Sequence, residues 1–84
     1  MITIKLFGLV KSLADNKAEL VWPKDGTRTV KDLIARLDAT YPKIGELLHK
    51  KRVLISVNQD IAHEDLEIKD GDEVALLPPF AGGV

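Results

Sequence analysis

The stretch that decides the fold is Asp70-Gly71-Asp72-Glu73-Val74-Ala75-Leu76-Leu77-Pro78-Pro79. Its first four residues form an acidic turn around a glycine, which is much shorter than the loops that hold calcium in helix–loop–helix proteins. The apolar run Val74–Leu77 that follows predicts a short, buried strand. Two prolines then end this strand, because proline cannot donate a hydrogen bond to a sheet ladder.

The chain ends shortly after these prolines in Phe80-Ala81-Gly82-Gly83-Val84, which is poor in large side chains. When fully extended, this end reaches roughly 17 Å. Gly82 and Gly83 lack a Cβ, so the end can enter a narrow slot and adopt backbone angles that other residues avoid. We therefore expect a folded domain over residues 1–79 and a projecting, flexible tail over residues 80–84, with the chain terminus itself as the functional group.

The composition is that of one small globular domain. The 84 residues are 45% hydrophobic and 30% charged, with a formal net charge of −1. This balance creates no field that would attract nucleic acid or an acidic membrane, so we expect neither as a partner. The chain contains no cysteine, which excludes disulfides, thiolate zinc sites and thiol nucleophiles.

The amino-terminal sequence does not have the character of a targeting segment. Residues Met1–Leu6 alternate between apolar and polar and lack a cationic leader followed by a long apolar block. No apolar run approaches the roughly 20 residues that a membrane span requires. We therefore expect a cytoplasmic protein that does not contact a membrane.

Period-two alternation predicts the first strand, in which Ile2, Ile4 and Leu6 share one face. Phe7 then adds apolar surface on the opposite face. A second strand is predicted over Glu19–Trp22, before a turn that contains Pro23 and Gly26. The two strands form a hairpin whose connection, residues 9–16, is either a short helix or an irregular turn.

The clearest helix begins after Thr29, a good N-cap, with Asp32 completing a weaker capping box. Its apolar stripe consists of Val30, Leu33, Ile34, Leu37 and Tyr41. Pro42 ends it, because the residue before a proline is disfavoured in helical geometry. A second short helical turn over residues 44–48 follows, and the cations of residues 50–52 lie near its negative end.

The strongest strand pattern is Val53–Val57, which we expect at the centre of the sheet, followed by a turn at residues 58–60. Leu66 and Ile68 predict one further short pairing. The fold class is therefore α+β, a mixed sheet with one main amphipathic helix packed on it. This arrangement, with the first and last strands as a parallel central pair, is the β-grasp, or ubiquitin-like, roll.

Four motifs resemble the β-grasp sulfur carriers of the MoaD/ThiS family, which includes the small subunit of molybdopterin synthase. They are Ile4-Lys5-Leu6-Phe7-Gly8, Thr29-Val30-Lys31-Asp32-Leu33, Val57-Asn58-Gln59-Asp60, and the segment 70–79 followed by Gly82-Gly83. The first three are individually weak, and the fourth is specific. The resemblance spans essentially the whole chain, and the helical segment 44–48 favours the molybdopterin branch over the shorter thiamine-pathway carriers.

The resemblance implies a carrier without catalytic side chains. A ubiquitin-activating-type adenylyltransferase would use ATP to join the carboxylate of Gly83 to AMP, and a sulfur donor would replace AMP to leave a thiocarboxylate. Gly82 and Ala81 would then enter the large subunit of molybdopterin synthase, where sulfur passes to a pterin precursor. No cofactor or metal is expected on the carrier itself. The absence of cysteine fits sulfur carried on the terminus.

Val84 departs from the family pattern, which ends at the second glycine. A β-branched terminus would be stiff and bulky where the slot is narrowest. Three explanations stand: removal by a C-terminal processing peptidase, an addition foreign to the natural protein, or a chain that is not a competent carrier. Our hypothesis is the first, with Gly83 as the mature end.

Four apolar residues around the tail have two interpretations. Pro78, Pro79 and Phe80 either end the strand and cover the core, or anchor a partner as interface aromatics do. Phe7 poses the same question, because a strand that is apolar on both faces needs cover on both sides. Trp22 and Tyr41 are more simply explained as core or core-edge residues.

Other residues favour structural roles. His49 and His63 have no metal-ligand spacing and are expected at the surface, and the residues of 50–52 are expected to be solvated or to meet an acidic partner surface. Three functional alternatives stay open: a ubiquitin-like protein modifier joined through Gly83, a sulfur carrier for thiamine, cysteine or tRNA thiolation, and a β-grasp interaction module with an inert tail.

Overall fold

The computed structural model describes residues 1–77, which form five strands and three helices. In chain order these are β1 (Ile2–Leu6), α1 (Gly8–Leu13), β2 (Glu19–Trp22), α2 (Val30–Thr40), α3 (Pro42–His49), β3 (Leu54–Val57), β4 (Asp60–Ile61) and β5 (Glu73–Leu77). The proposed domain boundary at residue 79 and the tail over residues 80–84 lie outside the described residues. No helix within residues 1–77 has the length and apolar character needed to cross a membrane.

The sheet has the strand order β2-β1-β5-β3-β4. Strands β1 and β5 run parallel, with Ile4 opposite Val74, whereas the other neighbours are antiparallel. The parallel pair and the amino-terminal hairpin predicted from the sequence are thus confirmed. The expected central place of β3 is wrong, because β5 occupies the centre and β3 lies between it and the short β4.

One face of the sheet forms the hydrophobic core. The alternating residues of the parallel pair, Ile2, Ile4, Leu6, Val74 and Leu76, are at most 2% exposed. Val30, Leu33 and Leu37 of α2 belong to the same buried cluster, as does Ile44 of α3. The fold is therefore the predicted α+β arrangement, in which a mixed sheet buries one face against the main helix.

The boundaries of the helices follow from local chemistry. The Thr29 hydroxyl accepts a hydrogen bond from the Asp32 backbone N–H, and the Asp32 carboxylate accepts one from the Thr29 N–H, which completes the predicted capping box. Tyr41 leaves helical geometry, with φ −132° and ψ 84°, and Pro42 starts α3. The predicted helical turn over residues 44–48 is part of this longer helix.

The short pairing expected from Leu66 and Ile68 is present as a single antiparallel bridge between Glu67 and Thr29. The Ile68 N–H donates to the Arg28 carbonyl at 2.8 Å, and the Val30 N–H donates to the Leu66 carbonyl at 3.0 Å. Ile68 is also fully buried in the core.

The sequence did not predict strand β4, which pairs with β3. This strand begins at Asp60, the last residue of the predicted turn, and Ile61 lies opposite Ser56.

Helices α2 and α3 approach each other closely at Gly45. A Cβ built on Gly45 would lie 2.6 Å from the Cα of Asp38, well inside van der Waals contact. Gly45 thus lets the two backbones meet, and the burial of Ile44 and Leu48 beside it depends on this approach.

Trp22 and Tyr41 are partly buried against the core, as predicted. The Arg36 guanidinium lies 4.9 Å from the centre of the Trp22 ring and donates hydrogen bonds of 2.8 Å to the Pro23 carbonyl and the Thr27 hydroxyl. This contact ties the end of β2 to α2.

Candidate partner-binding site at the exit of the central strand

The last described residues of the chain form the end of the central strand. Leu77, the last residue of β5, lies opposite Leu54 at the start of β3, and Leu76 lies beside Leu6 at the end of β1. Because β1 and β5 are parallel, both end at the same edge of the sheet. Phe7 and Leu54 therefore flank the point where the chain continues to residue 78.

The face of the sheet away from α2, here called the outer face, carries a broad depression beside this point. Its volume is about 470 Å³, and its lining includes Phe7, Ser56, Ala75 and Leu77. Short side chains lie at its floor, because the centre of the face is formed by Ala75 of β5 paired with Ser56 of β3. Phe7 is 46% exposed, and Leu54, which lies opposite Leu77, is equally exposed, so the end of the outer face beside Leu77 is apolar and solvent-accessible.

The charged group on this face is balanced by its neighbours. Lys5 Nζ lies 3.2 Å from Glu19 Oε1 and 3.9 Å from Glu73 Oε2. Both pairs are substantially exposed, so they contribute little stability and are weakened by salt. The depression thus presents an apolar edge near Phe7 and a neutralised polar border on its other side.

Phe7 is the one predicted binding residue within the described part of the chain, and it lies beside the strand exit. Its proposed role as a partner anchor stays a prediction. Gly83, Gly82, Ala81, Phe80, Pro79 and Pro78, the other predicted site residues, lie outside the described residues. The structure thus places Phe7 at the same edge of the sheet as Leu77, the end of β5, and tests no role of the tail itself.

The opposite end of the sheet is polar and has a structural role. Asn58, at φ +53°, donates from its Nδ2 to Asp72 Oδ1 at 3.0 Å and accepts from the Glu73 N–H at 3.1 Å. The Asp72 carboxylate also accepts from the Lys69 N–H at 2.8 Å. The motifs at residues 57–60 and 70–73 therefore meet and fix the turns that start β4 and β5.

Two carboxylates are held in the ionised form. A hydrogen bond from the Met1 ammonium, together with its charge, lowers the pKa of Asp70 below its ordinary value. Backbone hydrogen bonds from Arg28 and Thr29 lower the pKa of Asp32. Both groups stabilise local structure, at a turn and at a helix start, and neither faces the outer depression.

Both histidines lie at the surface and belong to no candidate metal centre. Within residues 1–77, no set of three or more His, Cys, Asp or Glu side chains could hold a metal ion. His49 and His63 are exposed, one at the end of α3 and the other in the loop after β4. The surface position predicted for the two histidines is thus confirmed.

Sequence reasoning missed Leu54, Ser56 and Ala75 as parts of the outer face. The signal that could have found them is the alternation of side chains along a strand, which puts Leu54, Ser56 and Ala75 on the face opposite to Ile55, Val57 and Val74. That alternation does not tell which strands are neighbours, so the depression itself could not be predicted.

The strand order, the parallel central pair and the helix on one face define a β-grasp domain of the ubiquitin-like class. The chain belongs to the ThiS family, whose pattern matches residues 4–83. The match includes Gly82 and Gly83, and it covers the outer-face strands together with the exit of β5.

Two relatives illustrate the range of the family. The molybdopterin synthase sulfur carrier subunit of Mycobacterium tuberculosis is 37% identical over 83 residues, which cover 98% of this chain and 96% of the relative. Small archaeal modifier protein 3 of Haloferax volcanii is 29% identical over 91 aligned positions, covering 98% of each chain.

Solved structures agree with the fold. Mycobacterium tuberculosis CysO superposes with a TM-score of 0.80 at 22% identity, covering 95% of this chain and all of the other. A chain in the complex of subunits 1 and 2 of the molybdopterin-converting factor from Helicobacter pylori has a TM-score of 0.66 at 25% identity, covering 98% and 97%. The second structure contains a protein of this fold bound to a partner.

Proposed function

We propose that this chain is the sulfur carrier subunit of a molybdopterin synthase and that its functional group is the carboxylate of Gly83. The observation that carries the proposal is the family match through residue 83, combined with a central strand whose last described residue, Leu77, lies at the same edge of the sheet as Phe7. The 37% identity to a molybdopterin synthase sulfur carrier subunit supports this branch of the family.

The proposed chemistry requires activation because a carboxylate is a poor electrophile. The terminal carboxylate attacks the α-phosphorus of ATP on an adenylyltransferase, which forms the acyl adenylate and releases pyrophosphate. A sulfide equivalent from the donor then attacks the acyl carbon, and AMP leaves with the bonding electron pair. The resulting thiocarboxylate is the cargo that the large subunit receives.

The folded domain would contribute docking rather than catalysis. The apolar edge formed by Phe7, Leu54 and Leu77 would lie against the partner and hold the root of the tail at the mouth of the partner's site. Interface energy concentrates in such aromatic and aliphatic anchors when they become buried. The tail would then reach inward, with Gly82 and Ala81 in the narrowest part.

Val84 must leave for Gly83 to become the terminus, so the proposal includes a processing peptidase. The intact mass of the protein from its own host tests this step. The same measurement after incubation with the adenylyltransferase, ATP and a sulfide source tests the chemistry. We expect loss of one valine and then replacement of one oxygen by sulfur.

A variant that ends at Gly82 is the matched control. It should fold with unchanged thermal stability, because no residue of the described core is removed, and it should accept no sulfur. Sulfur loading onto a chain that keeps Val84 would contradict the assignment of Gly83. A mass that stays unchanged under all conditions would contradict the carrier function.

A second candidate is a ubiquitin-like protein modifier, favoured by the 29% identity to small archaeal modifier protein 3. The same activated Gly83 would then be joined to lysine amines of other proteins. Isopeptide-linked species of higher mass in the host would support the modifier, whereas a stable complex with a synthase large subunit would support the carrier.

A further inference from the structure

We propose that the groove beside β4 is a docking site for an extended, basic segment of a partner protein. This β4 groove has a volume of about 600 Å³ and is formed by β4, the loop that follows it and the turns that start β4 and β5. Its lining includes Asp60, Ile61, Asp65, Leu66, Glu67 and Asp72. The inference concerns a surface that Phe7 does not line, and it does not depend on the carrier function proposed above.

The groove follows one edge of the sheet and reaches the end opposite to Leu77. Strand β4 is the outermost strand on this side. Asn58 and Asp72, which both line the groove, lie where β5 begins, because the Asn58 N–H donates to the carbonyl of Glu73, the first residue of β5. Leu77 is the last residue of the same strand. A segment bound in the β4 groove therefore leaves the end of the outer face beside Phe7 open to another protein.

The lining of the β4 groove carries excess negative charge. It contains one lysine and one histidine but four carboxylates, those of Asp60, Asp65, Glu67 and Asp72. The Asp72 carboxylate already accepts hydrogen bonds from the Asn58 side chain and a backbone N–H. Within residues 1–77, the other three carboxylates form no ion pair. They complement positive charges on an approaching partner.

The spacing of these carboxylates favours several separate positive charges over a single ion. Within residues 1–77, no three acidic or histidine side chains converge closely enough to hold a metal ion. Asp60 belongs to β4, whereas Asp65 and Glu67 belong to the loop after it, so the charges are spread along the groove. An extended chain presents every second side chain on the same side, about 7 Å apart. Lysines or arginines at alternate positions of such a chain can meet the carboxylates one by one.

The backbone of β4 supports an extended occupant. The Ala62 N–H donates to the Ile55 carbonyl at 2.9 Å, and Ile61 lies opposite Ser56. Because hydrogen-bonded and non-hydrogen-bonded pairs alternate in an antiparallel ladder, the N–H and carbonyl of Ile61 point away from β3, toward the free edge. These are the groups to which an added strand binds. By register the Ile61 side chain belongs to the outer face, so the groove meets the outer face at this residue.

One exposed aliphatic side chain adds an apolar contact. Leu66 lines the groove together with Val57 and Ala62, and it is 43% exposed. An apolar residue between two basic residues of the bound segment would cover Leu66. The occupant is therefore an extended segment in which basic and aliphatic residues alternate.

The test is a titration of the whole chain with the peptide acetyl-Lys-Val-Lys-Val-Lys-amide, followed by the NMR shifts of the backbone amides. We expect the largest shifts within residues 57–69 and at Asp72, with a Kd on the order of 1 mM at low salt. Binding should weaken severalfold when the ionic strength rises to about 1 M, where the Debye length falls to roughly 3 Å. The peptide acetyl-Glu-Val-Glu-Val-Glu-amide should not shift these amides.

A pair of double variants separates the groove from the overall charge of the chain. Asp65→Asn/Glu67→Gln removes two carboxylates of the groove and should weaken binding of the basic peptide about three- to tenfold, the range for two exposed charge pairs. Its Tm should be nearly unchanged, because both residues are exposed. The matched control Asp15→Asn/Asp25→Asn changes the net charge equally. Asp15 follows α1 and Asp25 follows β2 at the other edge of the sheet, so the affinity of this control should equal that of the wild type.

Two single variants test the apolar contact and the location. Leu66→Ala should weaken binding about threefold at either ionic strength, because it removes apolar contact area. Phe7→Ala should bind the basic peptide as tightly as the wild type, since Phe7 does not line the β4 groove.

Several outcomes would overturn the site. They are the absence of shifts with the basic peptide, an equal loss of affinity in the Asp15→Asn/Asp25→Asn control, and shifts that centre on Phe7 and Leu54 instead of the β4 groove. Equal shifts caused by Mg²⁺ at the same ionic strength would show a diffuse attraction of cations and would also overturn it. Unchanged affinity of Leu66→Ala would overturn the apolar contact. The carrier function stands or falls separately, on the mass of the chain terminus.

Discussion

The close approach of α2 and α3 makes Gly45→Ala the most direct test of the fold. The added Cβ would lie 2.6 Å from both the Cα and the Cβ of Asp38, and it would also meet the Asp38 Oδ1. The carboxylate can rotate away, but the Cα is backbone and cannot. Restoring a separation of 3.4 Å, the lower limit of ordinary contact, requires α3 to move by about 0.8 Å.

The expected magnitude combines two opposed effects. Overpacking of a well-packed interface costs about 1–3 kcal/mol. Alanine in place of glycine in a helix interior contributes about 1 kcal/mol of intrinsic preference. Because Ile44 and Leu48 are buried on either side of Gly45 and move with the helix, overpacking should prevail. We expect a net loss of about 1–2 kcal/mol in the free energy of unfolding, or roughly 5–15 °C in Tm for a domain of this size.

Thermal and denaturant unfolding measure this loss. The control Lys43→Ala, on an exposed position of the same helix, should lie within about 0.5 kcal/mol of the wild type. The double variant Asp38→Ala/Gly45→Ala should remain destabilised, because the Asp38 Cα and Cβ positions are unchanged. A Gly45→Ala protein as stable as the wild type, or full rescue by Asp38→Ala, would refute the backbone contact.

Three further predictions follow from the capping box, the ionised carboxylates and the outer face. Thr29→Ala should lower the free energy of unfolding, measured with denaturant, by about 1 kcal/mol. Thr29→Ser should be nearly as stable as the wild type, and equal losses in the two variants would contradict a capping role. The lowered pKa values of Asp32 and Asp70 mean that their stabilising contribution is complete above the unfolded value of about 3.8 and is lost as pH falls through the lower folded values. Denaturant midpoints from neutral to acid pH should therefore fall less steeply for the Asp32→Asn/Asp70→Asn protein, and identical profiles would count against these contacts. Phe7→Ala should weaken binding to the large subunit about tenfold or more, as expected of an anchor, with a nearly unchanged Tm because the ring is 46% exposed; a large fall in Tm would place Phe7 in the core instead.

The position of β3 shows that an apolar sequence pattern does not predict the order of strands in a sheet. Its apolar run predicted a place at the centre of the sheet. In the structure Leu54 is 46% exposed, and the short β4 is the only strand between β3 and the edge of the sheet. Hydrophobicity indicates that a segment is buried, but it does not indicate which strands or helices pack against that segment. The central strand is β5, because it pairs in parallel with β1 on one side and antiparallel with β3 on the other.

The role of Gly45 was hidden for a related reason. A glycine inside a helix pattern has several explanations, and only the distance to Asp38 shows that it marks a close approach of two helices. This feature depends on residues from two different helices, which no local pattern contains.

The sequence by itself determined the first strand and the start of the main helix. Alternation in β1 and the capping box at Thr29 act over a few residues, so short-range sterics and hydrogen bonding are enough to predict them. Tertiary structure alone decided the strand order and the outer-face depression. These arise when strands far apart in the chain pair and bury a common core, and that choice depends on the packing of the whole domain rather than on any single segment.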